Sequence, residues 1–249
     1  MNEIIDTCQR CLRPGALLLQ LVRSGSHSYG LATPESDEDF RGVFIPSKED
    51  ILGLHHARHV ERKEPDIVLK SLEDFLRLAL DGNPNIIEQL FIDDENLILC
   101  HDLFDVFRAN RKMFLSKKVL HSYTGYAIGQ LKKMRSGHTR DLGAKRKALV
   151  EQFGHDTKNC SHTFRLLIQG KEILEKGNLS VKLAPADAEY VRAIRRGEVF
   201  KTIDEAQVRA DELIKGLDEM QSPLPGYPDV NFIEKLMIAA QDEFLNNLA

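Results

Sequence analysis

The pattern of apolar and polar positions changes character midway along this 249-residue chain. Up to about residue 100, strand-length apolar runs such as ALLLQLV, residues 16–22, alternate with short segments of helical period and with turn signals. From about residue 102 onward, nearly every segment has the 3.6-residue spacing of an amphipathic helix. We therefore expect an α+β fold, with a small mixed-sheet domain over residues 1–113 and a helical domain over residues 114–249.

Individual elements follow from the same spacing and from capping residues. Ser47 and Ser71 are each followed three residues later by an aspartate, which predicts helix starts at both positions. In the first domain we expect helices over 3–12 and in SLEDFLRLAL and NPNIIEQLF, and strands over 16–22 and 37–46 and in ARHVER and DIVLKS. In the second we expect helices over 102–113, 116–135, 152–176, 186–196, 203–221 and 230–247.

Composition and charge narrow the function classes. The net charge of −4 gives no overall attraction to nucleic acid or to an anionic membrane, so such binding would need a local patch. No apolar run reaches the length of about 18 residues that a membrane helix needs. The first residues, MNEIIDTCQRC, are partly acidic and lack the apolar core of a signal peptide. We expect a cytoplasmic protein with no membrane partner.

Cys8 and Cys11 form a CxxC pair, which is typical of half a zinc site or of a redox pair. No second CxxC exists in the sequence, because Cys100 and Cys160 are isolated. The pair also lies in a segment with helical apolar spacing. The sequence therefore favours reduced cysteines packed on a helix.

The most informative stretch is SDEDFRGVF, residues 36–44. In an extended strand Asp37 and Asp39 project from the same face, and two carboxylates so close repel each other unless a cation lies between them. Mg²⁺ suits this position, with Mn²⁺ as an alternative, because Mg²⁺ takes one or two carboxylates together with water and phosphate oxygens. Asp66, at the start of DIVLK, is the expected third carboxylate in the same sheet; Glu64 is the alternative, although Pro65 places it in a turn.

A Gly-Ser pair ends the preceding apolar run. Gly25 allows the backbone to approach a phosphate closely, and Ser26 adds a hydroxyl donor. Tyr29 either stacks on a base or packs. Arg41 shares the predicted strand face of the two aspartates, so it either contacts the substrate or forms a structural salt bridge.

Together these features resemble the motif of the DNA polymerase β-like nucleotidyltransferase superfamily. The longer wording, GSHSYG followed by SDEDFRGVF, looks like the RlaP-type branch, predicted nucleotidyltransferases named for their association with RNA ligases. Three other stretches look like that branch: DIVLKSLEDFLRLALDGNPNIIEQLF, KNCSHTFRLL and SPLPGYPD. The resemblance implies transfer of a nucleoside monophosphate from an NTP to an acceptor hydroxyl, with release of pyrophosphate.

The resemblance also implies roles for individual residues. Asp37 and Asp39 would hold both Mg²⁺ ions, and Asp66 would hold the ion nearer the acceptor. Gly25 and Ser26 would bind the β and γ phosphates. The acceptor stays open among RNA ends, a small molecule and a protein hydroxyl.

Cationic residues mark the second half. His155, Lys158, His162 and Arg165 are spaced to share one helix face, and the resemblance makes Lys158 and Arg165 candidates for triphosphate or acceptor contacts; a solvated cationic face is the alternative. Residues 132–147 form a basic tract with a single acid, Asp141, which is either an RNA-binding or DNA-binding surface or a solvated face. Its basic residues are Lys132, Lys133, Arg135, Arg140, Lys145, Arg146 and Lys147.

Two rival functions stay open. One is a non-catalytic nucleotide-binding or RNA-binding protein that retains the fold, and the other is a metal-dependent phosphohydrolase. The segment HHARH, residues 55–59, has histidines four apart as in zinc peptidases, but the glutamate that should follow the first histidine is missing. Without a histidine cluster beside the acidic strand, the hydrolase is the less favoured of the two.

Overall fold

The computed structural model describes residues 2–54, 56–135 and 144–247. Contacts divide the chain into two compact units: unit 1 comprises Met1–Phe114 and Tyr227–Ala249, and unit 2 comprises Leu115–Gly226. The sequence-based division placed residues 114–249 together, whereas the contacts group the last helix with unit 1. One link is the hydrogen bond from the Asp229 N–H to the Met113 carbonyl, with N and O 3.4 Å apart.

Unit 1 contains a five-stranded mixed sheet, as expected. Its strands are β1 (Leu17–Ser24), β2 (Asp39–Ile45), β3 (His59–Arg62), β4 (Asp66–Ser71) and β5 (Leu97–Cys100), in the order β3-β4-β2-β1-β5. Strands β2 and β4 pair in parallel, and the other neighbours pair antiparallel. The parallel pair brings the starts of β2 and β4 to one edge of the sheet, which is where the site forms.

Eleven α-helices are described in these residues. In unit 1 they are α1 (Asn2–Cys11), α2 (Lys48–Leu52), α3 (Leu72–Leu80), α4 (Pro84–Leu90) and α5 (Asp102–Ala109); in unit 2, α6 (Lys118–Arg135), α7 (Ala144–Phe153), α8 (Thr157–Lys176), α9 (Pro185–Arg195) and α10 (Ile203–Asp218); and in unit 1 again, α11 (Val230–Asn246). Ser47 and Ser71 cap α2 and α3 as predicted, each accepting a hydrogen bond from the backbone N–H of the aspartate three residues on. None of the described helices is both long and apolar enough to cross a bilayer.

One face of the sheet packs in the core of unit 1, and the other face is partly exposed. Ile67 and Leu69 on β4 and Phe40 and Phe44 on β2 are buried in one cluster with Cys8 of α1. Alternate positions on β4 are only half-buried. Cys8 and Cys11 both lie in α1, as their spacing predicted, and Cys8 is buried there; all four cysteines are free. Burial raises the pKa of Cys8 to about 11.

Three elements differ from the sequence-based expectation. Strand β2 begins at Asp39, so Asp37 precedes the strand instead of lying in it. Strand β5 was not predicted. The helix expected over 152–176 begins at Thr157, where the Asp156 side chain caps it, and α7 (Ala144–Phe153), which ends just before Gly154 with its positive φ of 76°, was not predicted.

Candidate functional site

Asp39 and Asp66 are neighbours and are the first residues of the paired strands β2 and β4. They are Cα partners in the parallel β2–β4 pair. Directly paired residues point to the same face, and the next pair, Phe40 with Ile67, is buried in the core. Asp39 and Asp66, the second and third of the predicted acidic residues, therefore lie together on the half-exposed face.

Arg41 joins this face and binds Asp66. Its Nη1 donates to Asp66 Oδ1 at 3.1 Å and its Nη2 donates to Oδ2 at 3.4 Å. Nη1 also donates to the Phe40 carbonyl at 2.8 Å, which fixes the guanidinium on the strand. The sequence left two roles open for Arg41, a structural salt bridge and substrate contact, and the salt bridge is present. Substrate contact by Arg41 stays a prediction.

Gly25 makes a close approach to Asp39. Ser24, the last residue of β1, is paired with Asp39, and Gly25 follows with a positive φ of 71°. A Cβ added at Gly25 would lie 2.3 Å from Asp39 Oδ2. Any side chain at position 25 would displace the carboxylate, so the observed position of the Asp39 side chain requires glycine at position 25.

The turn after Gly25 is held by hydrogen bonds of its later residues. The N–H groups of Tyr29, Gly30 and Leu31 donate to carbonyls within the turn, and the Ser28 hydroxyl donates to the Gly25 carbonyl. Among the described residues, the N–H groups of Ser26, His27 and Ser28 make no backbone–backbone hydrogen bond. Consecutive N–H groups in a turn can form a concavity that binds anions.

Glu88 supports this turn and was missed by the sequence reasoning. The Tyr29 hydroxyl donates to Glu88 Oε2 at 2.6 Å, and Glu88 is only 5% exposed on α4. The sequence does contain a signal for this role, because Glu88 is the single acidic residue in the otherwise largely apolar helix NPNIIEQLF. A buried acid in such a helix needs a hydrogen-bonding partner.

The remaining acids of the site lie at the surface. Asp37 is exposed just before β2, Glu38 pairs with Arg23 at 3.7 Å, and Glu64 is exposed in the turn before β4. Across the described ranges, no group of three His, Cys, Asp or Glu side chains converges as a metal site. Mg²⁺ needs only one or two carboxylates when phosphate oxygens and water complete its shell, so binding by Asp37 and Asp39 stays a prediction.

In unit 2 the predicted cationic face is only partly at the surface. Lys158 is exposed, but Arg165 is 1% exposed and donates to Gln169 Oε1 and to His162 Nδ1. His155 precedes α8 and so leaves the shared helix face. The expectation that Arg165 contacts a nucleotide is corrected on this point: its guanidinium binds its own helix and has no access to solvent-borne phosphate in this structure.

The basic tract is described only in part. Lys132 and Lys133 lie in the last turn of α6, Arg135 pairs with Asp204, and Arg146 pairs with Asp156. Arg140 and the side chain of Lys145 lie outside the described residues, as does His55 of the HHARH segment. Ion pairing of both arginines reduces the positive charge that this surface offers to a phosphate backbone.

A family model matches most of this chain. The model of a family described as RlaP, RNA repair pathway DNA polymerase beta family, matches residues 9–213. A 38.9 kDa protein of Enterobacteria phage T4, from the nrdC-mobD intergenic region, is 36% identical over 123 residues, covering 44% of this chain and 36% of the phage protein. Bacillus subtilis YcgL is 30% identical over 118 residues, covering 45% of this chain and 44% of YcgL. The chain spans less than half the length of either relative.

Among solved structures, a nucleotidyltransferase-like protein from Exiguobacterium sibiricum aligns with 98% of this chain and 77% of its own. The sequence identity is 11% and the TM-score is 0.30. This likeness is too low to relate individual residues of the two proteins.

Proposed function

Because the chain belongs to the RlaP family, the RNA repair pathway DNA polymerase beta family, we propose that it is a Mg²⁺-dependent nucleotidyltransferase. It would transfer a nucleoside monophosphate from an NTP to an acceptor hydroxyl and release pyrophosphate, with ATP as the first NTP to test. One observation supports the proposal: the Asp39 carboxylate lies against Gly25, directly beside a turn in which the N–H groups of three consecutive residues make no backbone–backbone hydrogen bond. A carboxylate beside such a turn is what binding of a metal–triphosphate complex would need.

The turn would bind the leaving part of the nucleotide. The N–H groups of Ser26, His27 and Ser28 are the donors for phosphate oxygens, and the Ser26 side chain adds a hydroxyl. The positive φ of Gly25 lets the backbone come close to the phosphates without a Cβ in the way. These donors would hold the triphosphate so that the bond to be broken is aligned with the acceptor.

Asp37 and Asp39 would hold the divalent cation, Mg²⁺ or Mn²⁺, between protein and triphosphate. When bound, such an ion lowers the pKa of an acceptor hydroxyl and neutralises charge on the pyrophosphate. Asp66 is the third carboxylate in this proposal, since it is the register partner of Asp39. Arg41 orients Asp66 through two hydrogen bonds and offsets the repulsion between the two carboxylates.

RNA is the acceptor that we propose, from the family description. Lys132 and Lys133 are exposed in the last turn of α6, and Lys147 is exposed on α7. They would contact phosphates of the RNA backbone. Lys158, exposed at the start of α8, would contact a nucleotide phosphate. We place this activity in the cytoplasm.

A labelling experiment tests the proposal. The protein is incubated with each α-labelled NTP, Mg²⁺ or Mn²⁺ and total cellular RNA, and both labelled RNA and pyrophosphate are measured. Asp37→Asn and Asp39→Asn should each abolish labelling. Glu38→Gln is the matched control. Glu38 lies between the two aspartates in the sequence, but its carboxylate pairs with Arg23.

The outcome separates this function from its rival. The rival is a non-catalytic nucleotide-binding or RNA-binding protein that retains the fold. That protein would bind NTP without releasing pyrophosphate, and the three variants would not differ in labelling. Hydrolysis would instead yield free labelled nucleotide.

A further inference from the structure

A cavity lies at the far end of the parallel strand pair, away from Asp39 and Asp66. Its volume is about 430 Å³, and it is lined by Pro46, which follows β2, and by Ser71, which ends β4. Asp39 and Pro46 are at opposite ends of β2, roughly 20 Å apart at the rise of an extended strand. Crevices at the carboxyl ends of parallel strands commonly hold ligands, and this volume suits a small organic molecule.

Apolar side chains from separate elements of unit 1 form part of the wall. Pro46 follows β2, Ile51 lies on α2 and Met237 lies on α11, and all three line the cavity. The thioether of a methionine makes favourable contacts with aromatic rings. This part of the wall therefore suits a flat ring.

Asp50 supplies a hydrogen-bond acceptor that has no partner. Its side chain is 2% exposed and lines the same cavity. Oδ1 accepts from Arg13 Nη1 at 2.6 Å, whereas Oδ2 makes no hydrogen bond within the described ranges. Buried carboxylate oxygens are nearly always hydrogen-bonded. Because Oδ2 is also shielded from bulk water, its donor has to come from a molecule in the cavity.

Arg58 supplies a cation for the same ligand. Other charged side chains of the lining already form ion pairs: Arg77 with Glu73 at 2.8 Å, and Asp74 with Lys70 at 3.7 Å. Arg58 also lines the cavity, is exposed, and forms no ion pair among the residues that the structure describes. A guanidinium binds phosphate oxygens in bidentate fashion.

We propose that this cavity binds a nucleoside monophosphate whose base carries an amino group, such as AMP. The amino group would donate to Asp50 Oδ2, the base would pack against Met237 and Ile51, and the phosphate would accept from Arg58. Such a nucleotide combines the N–H donor, the flat ring and the anion that the lining calls for. The site shares no residue with the proposed nucleotidyl transfer and does not depend on it, so a nucleotide bound here would be an effector.

Calorimetry with the full chain, AMP and no divalent metal tests the role of Arg58. Arg58→Ala should weaken AMP binding about tenfold or more, because one charge-assisted contact is lost. Adenosine, which lacks the phosphate, should bind this variant and the wild type equally. Arg62→Ala is the matched control, since Arg62 is exposed on β3 and hydrogen-bonds the Glu64 carbonyl. Absence of AMP binding in the wild type, or equal AMP affinity of Arg58→Ala and wild type, would overturn the inference.

A second ligand tests the contact with Asp50 without any variant. Purine riboside 5′-monophosphate differs from AMP only in lacking the amino group, which is the one N–H donor of the adenine base. It should bind the wild type about tenfold more weakly, because Asp50 Oδ2 then stays without a donor. Equal affinity for the two nucleotides would contradict the proposed orientation of the base and overturn the inference.

Asp39→Asn separates this site from the proposed transfer. AMP binding should persist in Asp39→Asn, whether or not the wild type labels RNA. Binding that is lost in Asp39→Asn and kept in Arg58→Ala would place AMP beside the Gly25 turn and overturn the inference. An RNA end is the alternative occupant. A 5′-phosphorylated RNA tetramer beginning with adenosine should bind no more tightly than AMP, and tighter binding would overturn the assignment to a free nucleotide.

Discussion

Arg41 holds Asp66 across a parallel strand pair, with Nη1–Oδ1 and Nη2–Oδ2 distances of 3.1 and 3.4 Å. Asp66 is also the register partner of Asp39, so one carboxylate has a cation partner and a carboxylate neighbour. A bidentate guanidinium fixes the plane of the carboxylate as well as its charge. The pair thus orients Asp66 on the face that carries Asp39.

We expect Asp66→Asn to lower nucleotide transfer about 100-fold or more, because it removes a charge from the proposed metal-binding group. The free energy of unfolding should change by less than about 1 kcal/mol, since the Asp66 side chain is 46% exposed and exposed ion pairs contribute little. Labelling assays and urea unfolding measure the two effects.

Glu73→Gln is the control for this variant. It breaks the Arg77–Glu73 ion pair, which is 2.8 Å long and solvent-exposed, on the neighbouring helix α3. That change should leave nucleotide transfer intact. Full activity of Asp66→Asn would show that Asp66 is not the third carboxylate, and Glu64 would then be the candidate for that role.

Gly25→Ala should abolish nucleotide transfer without unfolding the protein. The new Cβ would lie 2.3 Å from Asp39 Oδ2, so the carboxylate must move. The positive φ adds a backbone cost of about 1–2 kcal/mol. Circular dichroism and urea unfolding report the fold, and NTP labelling reports activity.

Gly177→Ala separates the backbone cost from the displacement of Asp39. Gly177 also has a positive φ, of 60°, but its added Cβ would meet its nearest neighbour, Leu224, at an ordinary 3.5 Å. Its loss of stability should be similar, with activity retained. Equal activity of the two variants would show that contact between Gly25 and Asp39 has no part in the reaction.

The sequence predicted the elements whose signals are local. The caps at Ser47 and Ser71 and the strand DIVLKS, which is β4, were all predicted from short patterns. Strand β5 was not, because a four-residue edge strand such as Leu97–Cys100 is defined by its pairing with β1 and carries little pattern of its own.

The geometry of the site depended on contacts between distant segments. The family motif identified Asp39 and Gly25, but the partner of Arg41 lies 25 residues away and the partner of Tyr29 lies 59 residues away. Arg165 was correctly predicted to lie in a helix, but its burial was not predicted. Residue spacing alone does not show which part of a helix is buried, and the Arg165 side chain lies in the core.

Tyr29→Phe should weaken NTP binding because it detaches the turn from α4. The hydrogen bond to Glu88 Oε2 is 2.6 Å long and lies at a buried carboxylate, so its loss should cost about 1–3 kcal/mol of stability. Together with Glu88→Gln it forms a double-mutant cycle, measured by urea unfolding and by the KM for NTP. Additive effects in the cycle would contradict a shared role.

Acid should destabilise the protein through His162. Burial and the positive charges of Arg165, Lys158 and Arg146 lower its pKa to about 3 when folded, compared with an ordinary value near 6.5 when unfolded. Between these values the unfolded chain binds a proton that the folded chain does not, so the contribution to stability is complete above about pH 6.5 and is lost as the pH falls toward 3. From pH 7 to pH 5 the loss of stability at this one group should reach about 2 kcal/mol.

Urea unfolding at pH 7 and pH 5 should show a smaller pH effect in His162→Gln than in the wild type. His121→Gln, at an exposed position on α6, should retain the wild-type effect. An equal pH effect in all three proteins would mean that His162 is not held neutral by the helix.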